Sequence, residues 1–293
     1  MKHLSTRPLS TRAFLKTTGL LACGLLLAAC GKKEEPVAAT PAASAPTAAA
    51  APAKTYVVGT DAAYAPFELQ DEKGEIVGFS IDLLRAVAAK GGFEVRFVNT
   101  PWEGIFNTLA QGDRDMLISS ITITEDRRKS MDFSEPYFDA YQLIAVKADS
   151  TVGKFADLEK LIVGVQTGTT GDEVVTQLKG KNSTSIKRFE SMPLALKELE
   201  AGGVDAAVGD NGVVVNYVTN NPTAQFKTVS DTAFQPEQYG IAVKKGNADL
   251  LAMINKGLAA IKADGTYDTI VAKYFGSSAA PAAAPPAASA ASN

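Results

Sequence analysis

Histidine and cysteine are nearly missing from this 293-residue chain. His3 is the single histidine, and Cys23 and Cys30 are the only cysteines. From Gly31 onward there is none of either. That excludes from the remainder a Ser-His-Asp triad, a Cys-His nucleophile, a histidine or cysteine metal site and an internal disulfide. The glycine-rich run Gly164-x-x-x-Gly168-x-x-Gly171 lacks the Gly-Lys-Ser/Thr of a phosphate-binding loop. It also lacks the Gly-x-Gly-x-x-Gly spacing of a dinucleotide site, so no nucleotide cofactor or metal is expected. Acidic residues are absent only before Glu34, where Lys2, Arg7, Arg12 and Lys16 supply the charge.

That basic start precedes an apolar run over residues 19–29, too short to span a bilayer and suited to a secretory signal peptide over 1–29. Leu27-Ala28-Ala29-Cys30-Gly31 resembles the lipobox of bacterial lipoproteins, which implies a lipid on Cys30 and an extracytoplasmic, membrane-anchored protein. Leu20-Leu21-Ala22-Cys23 fits the pattern loosely, but cleavage there would split the hydrophobic run. Ser10–Lys16 resembles a twin-arginine signal with Thr11 in place of one arginine, so the export route stays open. Without the leader's four basic residues, 25 lysines and arginines face 32 acids, a formal charge of −7. An acidic chain of this kind is unsuited to nucleic acid. Residues 30–54, the first of them Cys30, are rich in Ala and Pro and read as a tether; residues 277–293 repeat that composition as a disordered tail.

Between these ends the pattern occurs twice. Thr55–Gly59, Glu94–Val98 and Asp115–Ser119 read as strands, separated by helices around Ile81–Ala88 and Pro101–Gln111, the latter capped by Thr100. Leu161–Val165, Ser185–Phe189 and Asp205–Val208 repeat them, with helices after Thr170 and after Ser191. Leu109-x-x-Gly112-x-x-Asp115 and Leu199-x-x-Gly202-x-x-Asp205 fall in equivalent places. Alternation of this kind predicts an α/β protein with a parallel-dominated sheet in each of two lobes. The strand C-terminal ends should line a crevice between them. Tyr141–Val146 and Gln238–Val243 read as two crossing strands, a hinge. Lobe 1 is expected over 55–144 plus 240–276, and lobe 2 over 145–239.

Ser119-Ser120-Ile121-Thr122-Ile123-Thr124-Glu125-Asp126-Arg127 is where a buried strand gives way to a short helix. Thr124 is a good N-cap, and Arg127 on the first turn points back toward the hydroxyls, a grip suited to a carboxylate. Gly59–Glu68, Gly78–Leu83, Ile121–Arg127 and Asp132–Tyr137 occur in order. Together they resemble the polar amino-acid-binding family of bacterial extracytoplasmic solute-binding proteins, which feed ABC importers. Ser80 stands where that family usually has Asp, at an expected helix N-cap. The resemblance implies a type II periplasmic-binding-protein fold, a monomer, and as partners an ABC permease with its ATPase.

It also implies a division of labour. Arg127 and Thr170 would hold an amino acid's carboxylate. Asp210, Thr122 and the Ser120 carbonyl would hold its ammonium, with Ser119 beside them. Asp61, Tyr64 and Trp102 are placed to read the side chain, and a carboxylate beside two aromatic rings favours arginine, lysine or histidine, then glutamine. Two alternatives stay open. One is an exported cyclohexadienyl dehydratase on the same fold, with Asp61 as its acid, although Arg127 nearby is expected to lower that residue's pKa. The other is a binding protein that reports ligand to a membrane receptor.

Overall fold

The computed structural model describes residues 54–276. The expected signal peptide, Cys30, most of the expected tether and the expected C-terminal tail lie outside them. The first part of the chain gives β1 (Thr55–Thr60), three short strands β2 (Ala63–Tyr64), β3 (Glu68–Gln70) and β4 (Ile76–Val77), and α1 (Phe79–Gly91). It continues with β5 (Glu94–Asn99), α2 (Ile105–Gln111), β6 (Met116–Leu117), α3 (Glu125–Arg128) and β7 (Met131–Phe133). The middle gives β8 (Phe138–Ala140), β9 (Gln142–Lys147), β10 (Val163–Gln166), α4 (Thr170–Lys179), β11 (Ile186–Phe189) and α5 (Met192–Ala201). Then come β12 (Ala206–Asp210), α6 (Asn211–Asn220), β13 (Phe226–Val229), β14 (Glu237–Tyr239), β15 (Ala242–Lys244), α7 (Ala248–Ala263) and α8 (Thr266–Phe275).

Two five-stranded sheets result, ordered β5-β1-β6-β15-β7 and β11-β10-β12-β9-β13. In each, three strands run parallel, β5-β1-β6 and β11-β10-β12, and the remaining two are added antiparallel to their neighbours. The repeated Leu-x-x-Gly-x-x-Asp motif does the same work in both. Gly112 ends α2 at φ 87° and Gly202 ends α5 at φ 80°, the left-handed backbone that glycine adopts without strain. Three residues on, an Asp carboxylate accepts a backbone N–H from the middle of the three parallel strands or its entry: Asp115 from Val57 in β1 and Asp205 from Ile162 just before β10, both at 2.7 Å.

The chain passes between the lobes through β8 and β14, which pair antiparallel. Aromatic rings fill the space around this crossing. Phe138 and Tyr239 stack at 5.6 Å, and Phe67 meets Phe138 edge-on at 4.9 Å. Phe67 also reaches the other lobe, where a Cβ on Gly212 of α6 would lie 2.5 Å from its ring. α7 closes on α1 so tightly that a Cβ on Gly257 would sit 2.2 Å from the Val87 carbonyl oxygen.

Several expectations are corrected here. Tyr141–Val146 is not a crossing strand: from Gln142 onward its residues belong to β9, a strand of the second sheet paired with β12 and β13. The second lobe's sheet therefore begins at Gln142. The segment Gln238–Val243 divides in two, β14 at the crossing and β15 inside the first sheet. α2 starts at Ile105 because Gly104 takes φ 88° just ahead of it, and the Thr100 hydroxyl donates to the Val98 carbonyl instead of capping a helix. Ser80 lies inside α1, buried, with Gly78 at the N-cap. Ser191 does hold the N-cap position of α5 but makes no side-chain capping bond.

The twin carboxylates yield a paired test. Asp115→Ala and Asp205→Ala each remove a charge-assisted bond to a strand N–H, and each is expected to lower unfolding free energy by about 1.5–3 kcal/mol. Urea unfolding measures this; a loss at one position only would mean that the two motifs are not mechanically equivalent.

Candidate functional site

The strand ends converge as parallel topology requires. β1 delivers Asp61, β6 leads to Ser119, Ser120 and Thr122, and α3 carries Arg127 on its first turn. Thr124 caps α3, its Oγ1 accepting the Arg127 N–H at 3.2 Å. From the second lobe, α4 begins at Thr170 and β12 ends at Asp210. All nine residues singled out in the sequence line one cavity, joined by Gln166 and Thr169.

The lobes meet across this cavity. Trp102 Nε1 donates to the Thr167 carbonyl at 3.1 Å, and Arg127 Nη2 to the Gly168 carbonyl at 3.4 Å. Arg127 Nη1 donates to the Thr122 carbonyl at 2.8 Å, and its guanidinium lies 5.5 Å from the Trp102 ring centroid and 5.4 Å from that of Phe106. Burial lowers the arginine's pKa, while Glu173, Asp210 and Glu237 pull the other way. A guanidinium remains cationic through such a shift. Ser119 Oγ accepts the Asp61 N–H at 2.9 Å, fixing the end of β1.

Asp210 is buried and held by three donors: Tyr64 OH at 2.8 Å, Tyr239 OH at 2.5 Å and Gln142 Nε2 at 2.6 Å. Burial nevertheless outweighs these bonds and Arg127, and raises its pKa. Asp61 behaves differently from expectation. Its carboxyl is pushed up to about 6 by burial, partly offset by the Trp102 N–H and reinforced by Glu190. Desolvation, a property of the folded surroundings, exceeds any influence of Arg127.

Besides Gln166 and Thr169, four polar residues behind the cavity lining were not singled out in the sequence. Gln142 sits in what read as a connecting segment, and its Nε2 reaches Asp210, Glu237 and Thr170. Glu237 follows Pro236 on β14, and Tyr239 lies two residues on. The nearest signal was their place on a predicted hinge strand. Glu68, in the Ala65-Pro66-Phe67-Glu68 motif, is completely buried, with no partner of good geometry for either carboxyl oxygen among the described residues. Burial raises its pKa well above the usual range, although the hydroxyls of Ser120 and Ser80 are near enough to lower it. Ser120 itself takes φ 48°, left-handed backbone for a residue with a Cβ, directly above this acid.

Two lobes closed by a paired-strand crossing on a cavity with one guanidinium and two carboxyl groups define a solute-binding clamshell. Residues 56–277 match the family model of bacterial extracellular solute-binding proteins, family 3, and the chain belongs to that family. It is 45% identical over 257 residues to a probable histidine-binding protein of Neisseria gonorrhoeae, covering 87% of this chain and 93% of that one. Among solved structures it is similar to the arginine-, lysine-, histidine-binding protein ArtJ of Geobacillus stearothermophilus. That match has 43% identity and a TM-score of 0.73, over 76% of this chain and 96% of ArtJ. An ancestral arginine-binding protein bound to glutamine matches at 45% identity and TM-score 0.71, over 76% and 98%.

The raised pKa of the buried Glu68 makes stability depend on pH. A carboxyl whose pKa is higher folded than unfolded favours the folded state fully below the unfolded pKa, and that contribution is lost as pH rises toward the folded value. Glu68→Gln removes the ionisation, so its effect on stability relative to the wild type should become more favourable from pH 5 to pH 8. Urea unfolding at both values checks this; a mutant effect that does not change with pH would place the titration elsewhere.

Proposed function

We propose that this protein is the substrate-binding component of an amino-acid ABC importer, capturing a polar, cationic L-amino acid in the interlobe cavity and delivering it as a monomer to a membrane permease and its ATPase. The observation that carries this reading is the charge inventory of one cavity: a single guanidinium, Arg127, with two carboxyl groups, Asp61 and Asp210. A zwitterion with a basic side chain offers the complement, one carboxylate and two cationic ends. Arg127 and Thr170 take the carboxylate, and the N-terminal N–H groups of α4 add a favourable dipole. Asp210, Thr122 and the Ser120 carbonyl take the ammonium. Asp61, Tyr64 and Trp102 take the distal group, whose positive charge favours the ionised form of the Asp61 carboxyl against the burial that opposes it. The names of the Neisseria relative and of ArtJ agree with arginine, lysine or histidine, and glutamine comes next.

A thermal-shift screen of the folded domain against the twenty amino acids tests this reading. Ligand at a hundredfold excess over Kd stabilises by about 2.7 kcal/mol, and arginine, lysine and histidine should lead. Arg127→Ala is expected to cost about 2–5 kcal/mol of binding. Arg128→Ala, whose guanidinium lies 6.0 Å from the Phe133 ring centroid and outside the cavity, should bind normally. Asp61→Asn should weaken the basic ligands more than glutamine. Leading shifts from glutamate or aspartate would refute the charge argument, and consumption of prephenate or arogenate without any amino-acid shift would make the protein a dehydratase.

Cys30 places the protein outside the cytoplasm on a lipid anchor, with residues 30–54 as its spacer. Fatty-acid labelling should mark the wild type and be abolished by Cys30→Ser; a label that survives there and disappears in Cys23→Ser would move the anchor.

A further inference from the structure

Glu237 occupies a junction that the amino-acid reading leaves without a role. It stands on the crossing strand β14, and its side chain joins both lobes. Oε2 accepts from Thr122 Oγ1 and from Thr170 Oγ1, each at 2.8 Å, and Oε1 accepts from Gln142 Nε2 at 3.0 Å. Thr122 and Thr170 are the two hydroxyls that face the amino acid's opposite charges in the proposed function. A hydroxyl owns one hydrogen, and here both hydrogens are directed at the same carboxyl oxygen. With Glu237 ionised, each threonine presents only lone pairs to the cavity. That suits an ammonium at Thr122 and opposes a carboxylate at Thr170.

A proton on Oε2 changes the pattern. Donated to Thr170 Oγ1, it releases the Thr170 hydrogen toward the ligand carboxylate. Thr122 still donates to Oε2 and accepts from the ammonium. The neutral acid therefore orients the two hydroxyls in opposite senses, as a zwitterion requires. Resting on the amino-acid reading, we propose that Glu237 is the positioning residue of this site, binding one proton with the ligand so that Thr170 donates and Thr122 accepts.

The surroundings favour that proton. Burial and the neighbouring Asp210 raise the Glu237 pKa to about 7, against the lowering pull of Thr122, Thr170 and Gln142. The other groups facing it are Arg127 and the phenols of Tyr64 and Tyr239, while Glu125, Arg128 and Glu173 line the open side of the same junction. An arriving carboxylate raises this acid's pKa further. The cationic ends of the ligand act oppositely on Asp61 and Asp210, from which they release protons. The sign of proton exchange thus separates Glu237 from the other two carboxyls.

The test is calorimetric titration of the wild-type domain with L-arginine from pH 5.5 to pH 8, in pairs of buffers with different ionisation heats. Wild type should take up about half a proton per arginine near pH 7, where Glu237 is already about half protonated, and close to one by pH 8, with affinity falling as pH rises, at most tenfold per unit for one linked proton. Glu237→Gln keeps an acceptor for Gln142 and offers N–H donors to Thr122 and Thr170. It should bind at pH 5.5 within a fewfold of wild type, and its affinity should lack the falling limb. Proton release or no exchange in the wild type overturns the proposal and needs no variant to do so. An unchanged pH profile in a folded Glu237→Gln, shown by an unaltered melting transition without ligand, overturns it equally. Failure of the wild type to bind arginine, lysine, histidine or glutamine at any pH removes the amino-acid reading and this inference together. Normal binding with the wrong proton sign removes the inference alone.

Discussion

A carboxylate withdrawn from water must be surrounded by donors, and Asp210 draws its donors from three parts of the chain. Tyr64 comes from the first lobe, Gln142 from the second and Tyr239 from the strand that joins them. The cost of leaving such a group unpaired is several kcal/mol, far above that of a lost surface contact. Closing the lobes is therefore the same event as completing the shell around this one side chain. The aromatic packing of Phe67, Phe138 and Tyr239 puts the phenol of Tyr239 where the shell needs it.

Carboxyl groups outnumber cations around the cavity, and this imbalance has a physical reading. Asp61, Asp210 and Glu237 all sit above their ordinary pKa, with desolvation the leading cause in each case. Only Arg127 opposes them from within the lining. A site built this way holds acids in a state where an incoming cation is rewarded twice, by direct attraction and by relief of their mutual repulsion. A second negative end on the ligand has no comparable partner.

Much of this organisation was legible in the amino-acid order because it rests on local rules. The glycine stops at Gly112 and Gly202, the Thr124 cap and the alternation of strand and helix follow from backbone chemistry. Those rules, together with the family resemblance, singled out nine residues that line a common cavity. The features that were missed depend on distance in three dimensions. Leu143–Val146 is apolar throughout, so nothing in it reveals which sheet it joins. Gly104 carries no mark of its positive φ until the helix it starts is seen. Glu237 and Gln142 lie on strands whose neighbours come from far along the chain, and the behaviour of Asp61 is set by burial that no spacing encodes.

The position of β15 has a consequence for how the chain is made. It lies between β6 and β7, yet it is the last strand in sequence and follows the whole of the second sheet. Until Ala242–Lys244 has been added to the chain, β6 ends the first sheet as an unpaired edge, its N–H and C=O groups open to any passing strand. The second sheet has no such dependence, since β9 through β13 arrive as one uninterrupted stretch. A newborn molecule thus holds one finished lobe and one half-built lobe with an adhesive edge. The charged C-terminal half of β6's approach, Asp113-Arg114-Asp115, and the brevity of β6 itself keep that edge short and poorly suited to aggregation while the chain waits for its closing strand.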